Sequence, residues 1–256
     1  MIEENKPLLY SVEGSVARIT LNRPEKRNAL NEALIAAVKG ALREADGNEG
    51  VRAIVITGAG GDFCAGADLS SLQKISAASV AENVDDAHSL MELFVLIRQV
   101  KVPVVAAVPG KALAGGCGLA TACDLVLAST TARFGYPEVK IGFVPAMVMA
   151  MLRRNVSEKR AFELITLGGE IAAAEAKQFG LVNQVFSEVD FETEVTAYVR
   201  VFEKMSKSAV ALAKTLLYQI DGLPFLEALE TGLDTNVIAR TTADSRERIE
   251  RFLTKS

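Results

Sequence analysis

Two glycine-rich segments, each placed after an apolar run, hold the residue types best suited to chemistry in this chain. One of them runs from Gly110 to Ala120 and follows the apolar residues 103–108. The first N–H groups of a helix have no partner inside the helix and lie at the positive end of its dipole, so they attract an anion. Backbone N–H groups arranged in this way also stabilise an oxyanion during catalysis. A glycine cluster before a helix more often serves close packing or a tight turn, so this segment alone leaves both interpretations open.

The other segment, Thr57–Leu69, contains four glycines and follows the apolar run Ala53–Ile56. In an open α/β sheet, ligands bind outside the carboxyl ends of the strands. Two glycine-rich loops at that edge can each direct one backbone N–H to the same ligand oxygen. The pair of segments therefore predicts an oxyanion site built from main-chain donors.

Five segments occur in chain order between residues 22 and 142 and form one pattern. They read NRPEKRNAL (22–30), FCAGADL (63–69), AGGCGLA (114–120), CD (123–124) and FGYPEVKIG (134–142). This pattern resembles the crotonase family, also called the enoyl-CoA hydratase/isomerase superfamily. The resemblance implies an α/β fold whose core is a spiral of ββα turns, with an acyl-CoA thioester as substrate and no cofactor apart from the coenzyme A of that substrate. It also implies a C-terminal helical region that mediates trimer contacts, with trimers commonly pairing into hexamers.

The resemblance also assigns roles to individual residues. It implies that the backbone N–H groups of Ala67 and Gly115 form the oxyanion hole and that Glu138 is the catalytic acid/base. The positions that it implies for contact with the substrate are Lys26, Ala29, Cys64, Ala65, Gly66, Asp68, Leu69, Gly116 and Gly118. Two of these have alternative interpretations, because Asp68 is also a suitable helix N-cap and Lys26 is also an ordinary solvated surface cation.

The chain departs from the family pattern at one carboxylate. Hydratases of this family usually carry a Glu just after the glycine cluster as well as the later one, so that two carboxylates hold the attacking water. The first position is Gly118 here, whereas the second is retained as Glu138. One carboxylate beside an oxyanion hole is sufficient to move a proton between the α and γ carbons of an enoyl thioester, which is the arrangement of the family's enoyl-CoA isomerases.

Three functions are therefore kept open. The leading hypothesis is an enzyme of the enoyl-CoA hydratase/isomerase kind, in which hydration by one Glu would be helped by a hydrogen bond from Tyr136, Glu92 or His88. The second is another crotonase chemistry, decarboxylation or thioester hydrolysis, that uses the same oxyanion hole. The third is a catalytically degenerate CoA-binding subunit, against which the retained Glu138 argues.

Composition excludes several other classes of protein. With 256 residues, 50% of them hydrophobic and 23% charged, the chain is typical of a folded globular protein. The net charge of −4, from 28 basic and 32 acidic side chains that are interspersed, argues against a nucleic-acid or anionic-membrane partner. Three cysteines and one histidine favour neither a disulfide framework nor a zinc site, and they indicate a reducing, cytoplasmic compartment. Residues 1–6 lack the apolar core of a secretory leader, and no apolar run reaches the roughly eighteen residues of a membrane helix.

The predicted elements place the two glycine loops after buried strands. They are, in chain order, a hairpin over 8–21, a helix over 32–45 capped by Asn31, a strand over 52–56, two helices within 69–101, a strand over 103–108, a helix over 115–122, a strand over 124–128, an extended piece over 132–134 and a helix over 145–154. This alternation predicts a βαβ-type core that carries the site. The resemblance implies that this core spans residues 1–190 and that residues 70–100 and Phe143–Met151 form the acyl pocket. Residues 191–256 are predicted to be four consecutive helices without a large core of their own, which favours oligomerisation.

Overall fold

The computed structural model describes residues 6–254, so residues 1–5, where no secretory leader is expected, lie outside the described part. Within residues 6–254 there are nine strands and eleven α-helices. The strands are β1 (Leu8–Glu13), β2 (Val16–Leu21), β3 (Ala53–Gly58), β4 (Val104–Val108), β5 (Lys111–Leu113), β6 (Leu125–Ser129), β7 (Arg133–Gly135), β8 (Glu170–Ala172) and β9 (Gln184–Phe186). The α-helices are α1 (Glu32–Gly47), α2 (Leu69–Ala77), α3 (Val80–Gln99), α4 (Gly115–Ala122), α5 (Ala146–Asn155), α6 (Glu158–Leu167), α7 (Ala173–Phe179), α8 (Phe191–Arg200), α9 (Lys207–Gln219), α10 (Phe225–Thr241) and α11 (Ala243–Leu253). None of these helices combines the length and the apolar character that crossing a membrane requires.

The strands form a six-stranded and a three-stranded sheet. The larger sheet has the order β1-β2-β3-β4-β6-β9, and the smaller has the order β5-β7-β8. β1 and β2 form the predicted antiparallel hairpin, whereas the other neighbours in the larger sheet pair in parallel. All five residues of β4 are buried, which confirms the prediction that this continuous apolar run is covered on both faces.

Two successive units of the chain repeat the same order of elements. β4, β5 and α4 follow one another, and β6, β7 and α5 then do so again. In each unit the first strand joins the larger sheet and the second joins the smaller sheet. This arrangement confirms an α/β core built as a spiral of ββα turns. Because β5 pairs in parallel with β7 and Leu113 lies opposite Gly135, the start of α4 lies beside the end of β7.

The chain between α5 and α8 has more structure than the sequence analysis predicts. Two helices and two strands occupy it, of which β8 pairs antiparallel with β7 and β9 extends the larger sheet. Both strands have three residues, too few to produce an alternating pattern that a sequence analysis can detect.

The four C-terminal helices have two kinds of surroundings. α8 buries Phe191 and Val195 against the larger sheet. α9 is anchored by Lys214, whose ammonium group lies 2.7 Å from the Asp124 carboxylate and donates to two backbone carbonyls of the core. α10 and α11 bury no residue, and the Phe225 side chain, for example, is 80% exposed. α8 is therefore covered by this chain itself and α9 is anchored to it by Lys214. The boundary between the two regions and the oligomeric state stay predictions.

Candidate active site

The backbone N–H of Ala67 is available at the end of the first glycine-rich segment. Leu30 and Ala67 form a parallel bridge, in which Leu30 N donates to Gly66 O at 2.6 Å and Leu30 O accepts from Asp68 N at 2.9 Å. Because Leu30 bonds to the residues on both sides of Ala67, the N–H of Ala67 points to the opposite side. This N–H has no acceptor among residues 6–254, so it is free to bind a ligand oxygen.

The two glycine-rich segments are in contact through Gly66. Gly66 has a φ of +97°, and a Cβ built on it would lie 2.7 Å from Ala114 Cβ and 3.4 Å from Gly115 N. Only glycine accommodates both the backbone conformation and this close approach. Leu113 N also donates to Cys64 O at 2.9 Å, which joins the second segment to the first. The two segments therefore form one unit.

Gly115 supplies the second candidate donor because it is the first residue of α4, where an N–H has no acceptor inside the helix. Ala114, just before it, has a φ of +50°, which is uncommon for a residue with a side chain. The N–H of Ala114 donates to Gly135 O at 2.9 Å. The positive end of the α4 dipole is thereby fixed beside the segment that leads to Glu138.

Glu138 lies three residues beyond Gly135, in the short 3-10 helix Pro137–Ile141. Its side chain is half-buried, and Oε2 is buried with no hydrogen-bond partner among residues 6–254. Burial raises the pKa of the Glu138 carboxyl above its usual value, because the charged form is poorly solvated there, and a hydrogen bond from its own backbone N–H opposes this only in part. With its pKa raised in this direction, the carboxylate is a better proton acceptor than that of an ordinary surface Glu.

Gly118, the position of the missing carboxylate, is covered by apolar side chains. A Cβ at Gly118 would lie 2.6 Å from Val148 Cγ2 on α5 and 3.3 Å from Phe94 Cζ on α3. Val148 and Phe94 are each only 4% exposed. Both belong to the segments that the sequence analysis assigns to the acyl pocket. The space next to this turn of α4 is therefore apolar and filled.

The three side chains considered as helpers for water activation have other partners. Tyr136 is fully buried, and its hydroxyl lies 2.7 Å from Thr121 Oγ1 on α4. The Glu92 carboxylate lies 3.0 Å from Lys39 Nζ and 3.4 Å from His88 Nδ1, on the exposed side of α3. None of the three hydrogen-bonds to Glu138.

Asp68 is an N-cap, as its alternative interpretation predicts. Its carboxylate accepts from Ser70 N at 3.1 Å at the start of α2 and lies 2.5 Å from Arg23 Nη2. The Arg23 guanidinium, together with the hydrogen bonds from Ser70, holds the pKa of Asp68 below its usual value. Arg23 also donates to Ala29 O at 2.6 Å, which fixes the loop that carries the exposed Lys26. Arg23 lies within the motif at residues 22–30, but no local feature of the sequence indicates that it pairs with Asp68.

The remaining predicted contact positions differ in exposure. Leu69 is 77% exposed, whereas Ala65 is partly buried and its N–H donates to the backbone of the Lys26 loop. Cys64 and Gly116 are fully covered and pack against each other. Burial raises the pKa of the Cys64 thiol to about 12, so this residue is a structural rather than a reactive cysteine. No set of three His, Cys, Asp or Glu side chains in residues 6–254 is arranged to hold a metal ion.

Comparisons of the whole chain with known proteins identify its family. A model of the family described as enoyl-CoA hydratase/isomerase matches residues 11–256. A Thermus thermophilus protein, provisionally named an enoyl-CoA hydratase, is 40% identical over 243 residues, which cover 95% of this chain and 96% of that protein. The crystal structure of an enoyl-CoA hydratase from Mycobacterium smegmatis aligns with a TM-score of 0.92 at 32% identity, covering 97% of this chain and 96% of that one. The human enoyl coenzyme A hydratase domain-containing protein 3 aligns with a TM-score of 0.91 at 27% identity, covering 97% and 98% of the two chains. By sequence and by fold, this chain belongs to the enoyl-CoA hydratase/isomerase family of the crotonase superfamily.

Proposed function

We propose that this protein binds an enoyl-CoA thioester and moves a proton on its acyl group with Glu138. The thioester carbonyl oxygen accepts hydrogen bonds from the N–H groups of Ala67 and Gly115. The observation that carries this proposal is that Oε2 of Glu138 is buried and has no hydrogen-bond partner in the described chain. The segment that carries Glu138 is joined to the start of α4 by the hydrogen bond from Ala114 N–H to Gly135 O.

The two N–H donors act by stabilising the negative charge that develops on the thioester oxygen. One donor of this kind contributes about a hundredfold to a thousandfold in rate. In the isomerisation of a β,γ-enoyl-CoA, Glu138 removes a proton from the α-carbon and the electron pair delocalises into a dienolate held by both donors. The Glu138 carboxyl then returns the proton to the γ-carbon, which gives the α,β-enoyl-CoA and regenerates the carboxylate without consuming water.

Hydration of an α,β-enoyl-CoA is the second candidate reaction, and it is favoured by the names of the relatives, which are called hydratases. Hydration benefits from two carboxylates that hold the attacking water. Here Gly118 stands at the first position and is covered by Val148 and Phe94. We therefore propose that isomerisation is at least as fast as hydration. Decarboxylation and thioester hydrolysis would use the same donors, and a degenerate CoA-binding subunit would have no use for Glu138.

Further parts of the proposal concern binding, cofactors and assembly. The exposed Lys26 contacts the coenzyme A part of the substrate, and no other cofactor takes part. The protein acts in the cytoplasm. It assembles as a trimer or a pair of trimers through the apolar side chains that α10 and α11 leave exposed.

The experiment that tests the role of the carboxyl is Glu138→Gln, with Glu175→Gln as the control. Glutamine keeps the volume and loses the base, so isomerisation of 3-butenoyl-CoA and hydration of crotonyl-CoA should both fall by at least about a hundredfold. Affinity for crotonyl-CoA, measured by calorimetry, should stay close to that of the wild type. Glu175 is exposed on α7, and its substitution should change neither rate. A Glu138→Gln protein with most of its activity would remove Glu138 from the mechanism.

A further inference from the structure

A buried pair of hydroxyl groups joins the Glu138 segment to α4. The Tyr136 side chain is 0% exposed, and its hydroxyl lies 2.7 Å from Thr121 Oγ1. Thr121 Oγ1 donates its single proton to the Cys117 carbonyl at 2.7 Å. The Tyr136 hydroxyl must therefore be the donor to Thr121 Oγ1, because no other proton is left for that contact. Burial raises the pKa of Tyr136 well above its usual value, so the donated proton is retained.

The Glu138 carboxylate itself has little that orients it. Among the described residues it hydrogen-bonds only to its own backbone N–H, and Oε2 has no partner. Its position is therefore set by the backbone on either side. That backbone is held by the bond from Ala114 N–H to Gly135 O and by the bond from Phe143 N–H to Glu138 O at 3.0 Å. The Tyr136 hydroxyl adds a side-chain contact across to α4, and this contact can be removed without altering any backbone bond.

We propose that Tyr136 is a positioning residue, whose hydrogen bond to Thr121 fixes the Glu138 segment against the helix that begins with the oxyanion donor Gly115. The inference rests on the proposed function of Glu138. The base and the oxyanion donors must reach one substrate at the same time, and a displacement of about 1 Å can cost on the order of a hundredfold in rate. Tyr136 and Thr121 are both buried, so they act on the geometry of the site without touching the substrate.

The test compares Tyr136→Phe, Thr121→Val and the double variant. Thr121→Val removes the oxygen acceptor of the buried Tyr136 hydroxyl and leaves it only the weaker interaction with the Cys117 thiol, which destabilises the fold. The double variant removes both partners, so its melting temperature should return towards that of the wild type although the contact stays broken. The kcat for isomerisation of 3-butenoyl-CoA should fall about tenfold to a hundredfold in all three variants, because the base is displaced from the oxyanion donors. KM should stay close to the wild-type value, since the variants leave the substrate contacts in place.

Tyr10→Phe is the matched control, because it removes a hydroxyl on β1 that is buried and has no hydrogen-bond partner in the described chain. It should retain the wild-type kcat. A stable double variant with the wild-type kcat would overturn the inference.

Glu138→Gln distinguishes this failure from a failure of the proposed function. If Glu138→Gln is inactive and the double variant is fully active, only the positioning role of Tyr136 is refuted. If Glu138→Gln is active, the proposed function fails, and the inference that rests on it fails with it.

Discussion

Replacing Gly118 with Glu would test directly what the missing carboxylate does to the choice of reaction. A Cβ at this position would lie only 2.6 Å from Val148 Cγ2, well inside van der Waals contact. Gly118→Glu alone therefore overpacks the contact between α4 and α5, at a cost of about 1–3 kcal/mol of stability. Replacing a glycine inside a helix stabilises the helix by up to about 1 kcal/mol. This gain is smaller than the sum of the overpacking cost and the cost of burying a carboxylate. We expect the single variant to be destabilised rather than converted into a hydratase.

Val148→Ala supplies the missing space. It removes two methyl groups from a side chain that is 4% exposed. At about 0.8 kcal/mol for each buried group, plus a contribution from the cavity, Val148→Ala alone should cost roughly 2–3 kcal/mol. When Gly118→Glu and Val148→Ala are combined, the new Glu side chain enters that cavity. The effects of the two substitutions on the free energy of unfolding should therefore couple favourably by roughly 1–2 kcal/mol. Urea unfolding of the wild type, both single variants and the double variant measures this coupling.

The activity assay measures hydration of crotonyl-CoA and isomerisation of 3-butenoyl-CoA side by side. Gly118→Gln in the Val148→Ala background is the matched control, since it has the same shape without the second carboxylate. The ratio of hydration to isomerisation should rise about tenfold to a hundredfold in the Glu double variant and not in the Gln one. A folded Glu double variant with the wild-type ratio would refute the reasoning. The reasoning would also be refuted if the wild-type protein hydrated crotonyl-CoA orders of magnitude faster than it isomerised 3-butenoyl-CoA. Another group would then have to replace the second carboxylate.

The remaining predictions concern pH, the junction of the two loops and assembly. Glu138 must be deprotonated to act as a base, and burial raises its pKa. On acidification, kcat/KM should therefore fall at a pH above the usual Glu pKa of about 4.3. A pH profile whose acidic limb lies at the usual Glu pKa would contradict this prediction. Gly66→Ala should lower kcat about tenfold or more by displacing the start of α4. Gly61 has a similar φ of +93°, but no atom lies within 4 Å of a Cβ built on it, so Gly61→Ala should strain only the backbone. Equal losses of kcat in Gly66→Ala and Gly61→Ala would argue against a role for the contact between the two glycine-rich segments. Light scattering at micromolar concentration should give a trimer or hexamer, and a monomer would exclude the proposed assembly.

Sequence analysis predicts the parts of this fold whose signals are local. Asn31 caps α1 and accepts from Leu34 N at 2.9 Å, as expected of an Asn before an amphipathic run. α4 spans residues 115–122 as predicted, because small residues follow the glycines without interruption. The order of these elements predicts only a βαβ-type core, and the ββα spiral is implied by the family resemblance that the five motifs carry.

Sequence analysis does not reveal contacts between distant segments. Val148 reaches Gly118 because α5 packs across α4, and no pattern within either helix records that pairing. In the same way, the sequence left Tyr136 available to assist a water molecule, whereas the fold turns its hydroxyl towards Thr121. Such contacts depend on how the two ββα units stack, which is a property of the assembled core.

The packing around Gly118 changes how its departure from the family pattern is understood. A glycine that merely replaced a carboxylate would leave a cavity open to water, and water could then still reach the substrate beside Glu138. Instead Val148 and Phe94, each 4% exposed, fill the space from two other helices. The oxyanion donors proposed at Ala67 and Gly115 are main-chain groups, so they serve any reaction that passes through a thioester enolate. The choice among such reactions must therefore be made by side chains, and the apolar cover over Gly118 is the observation on which the proposed preference for isomerisation rests.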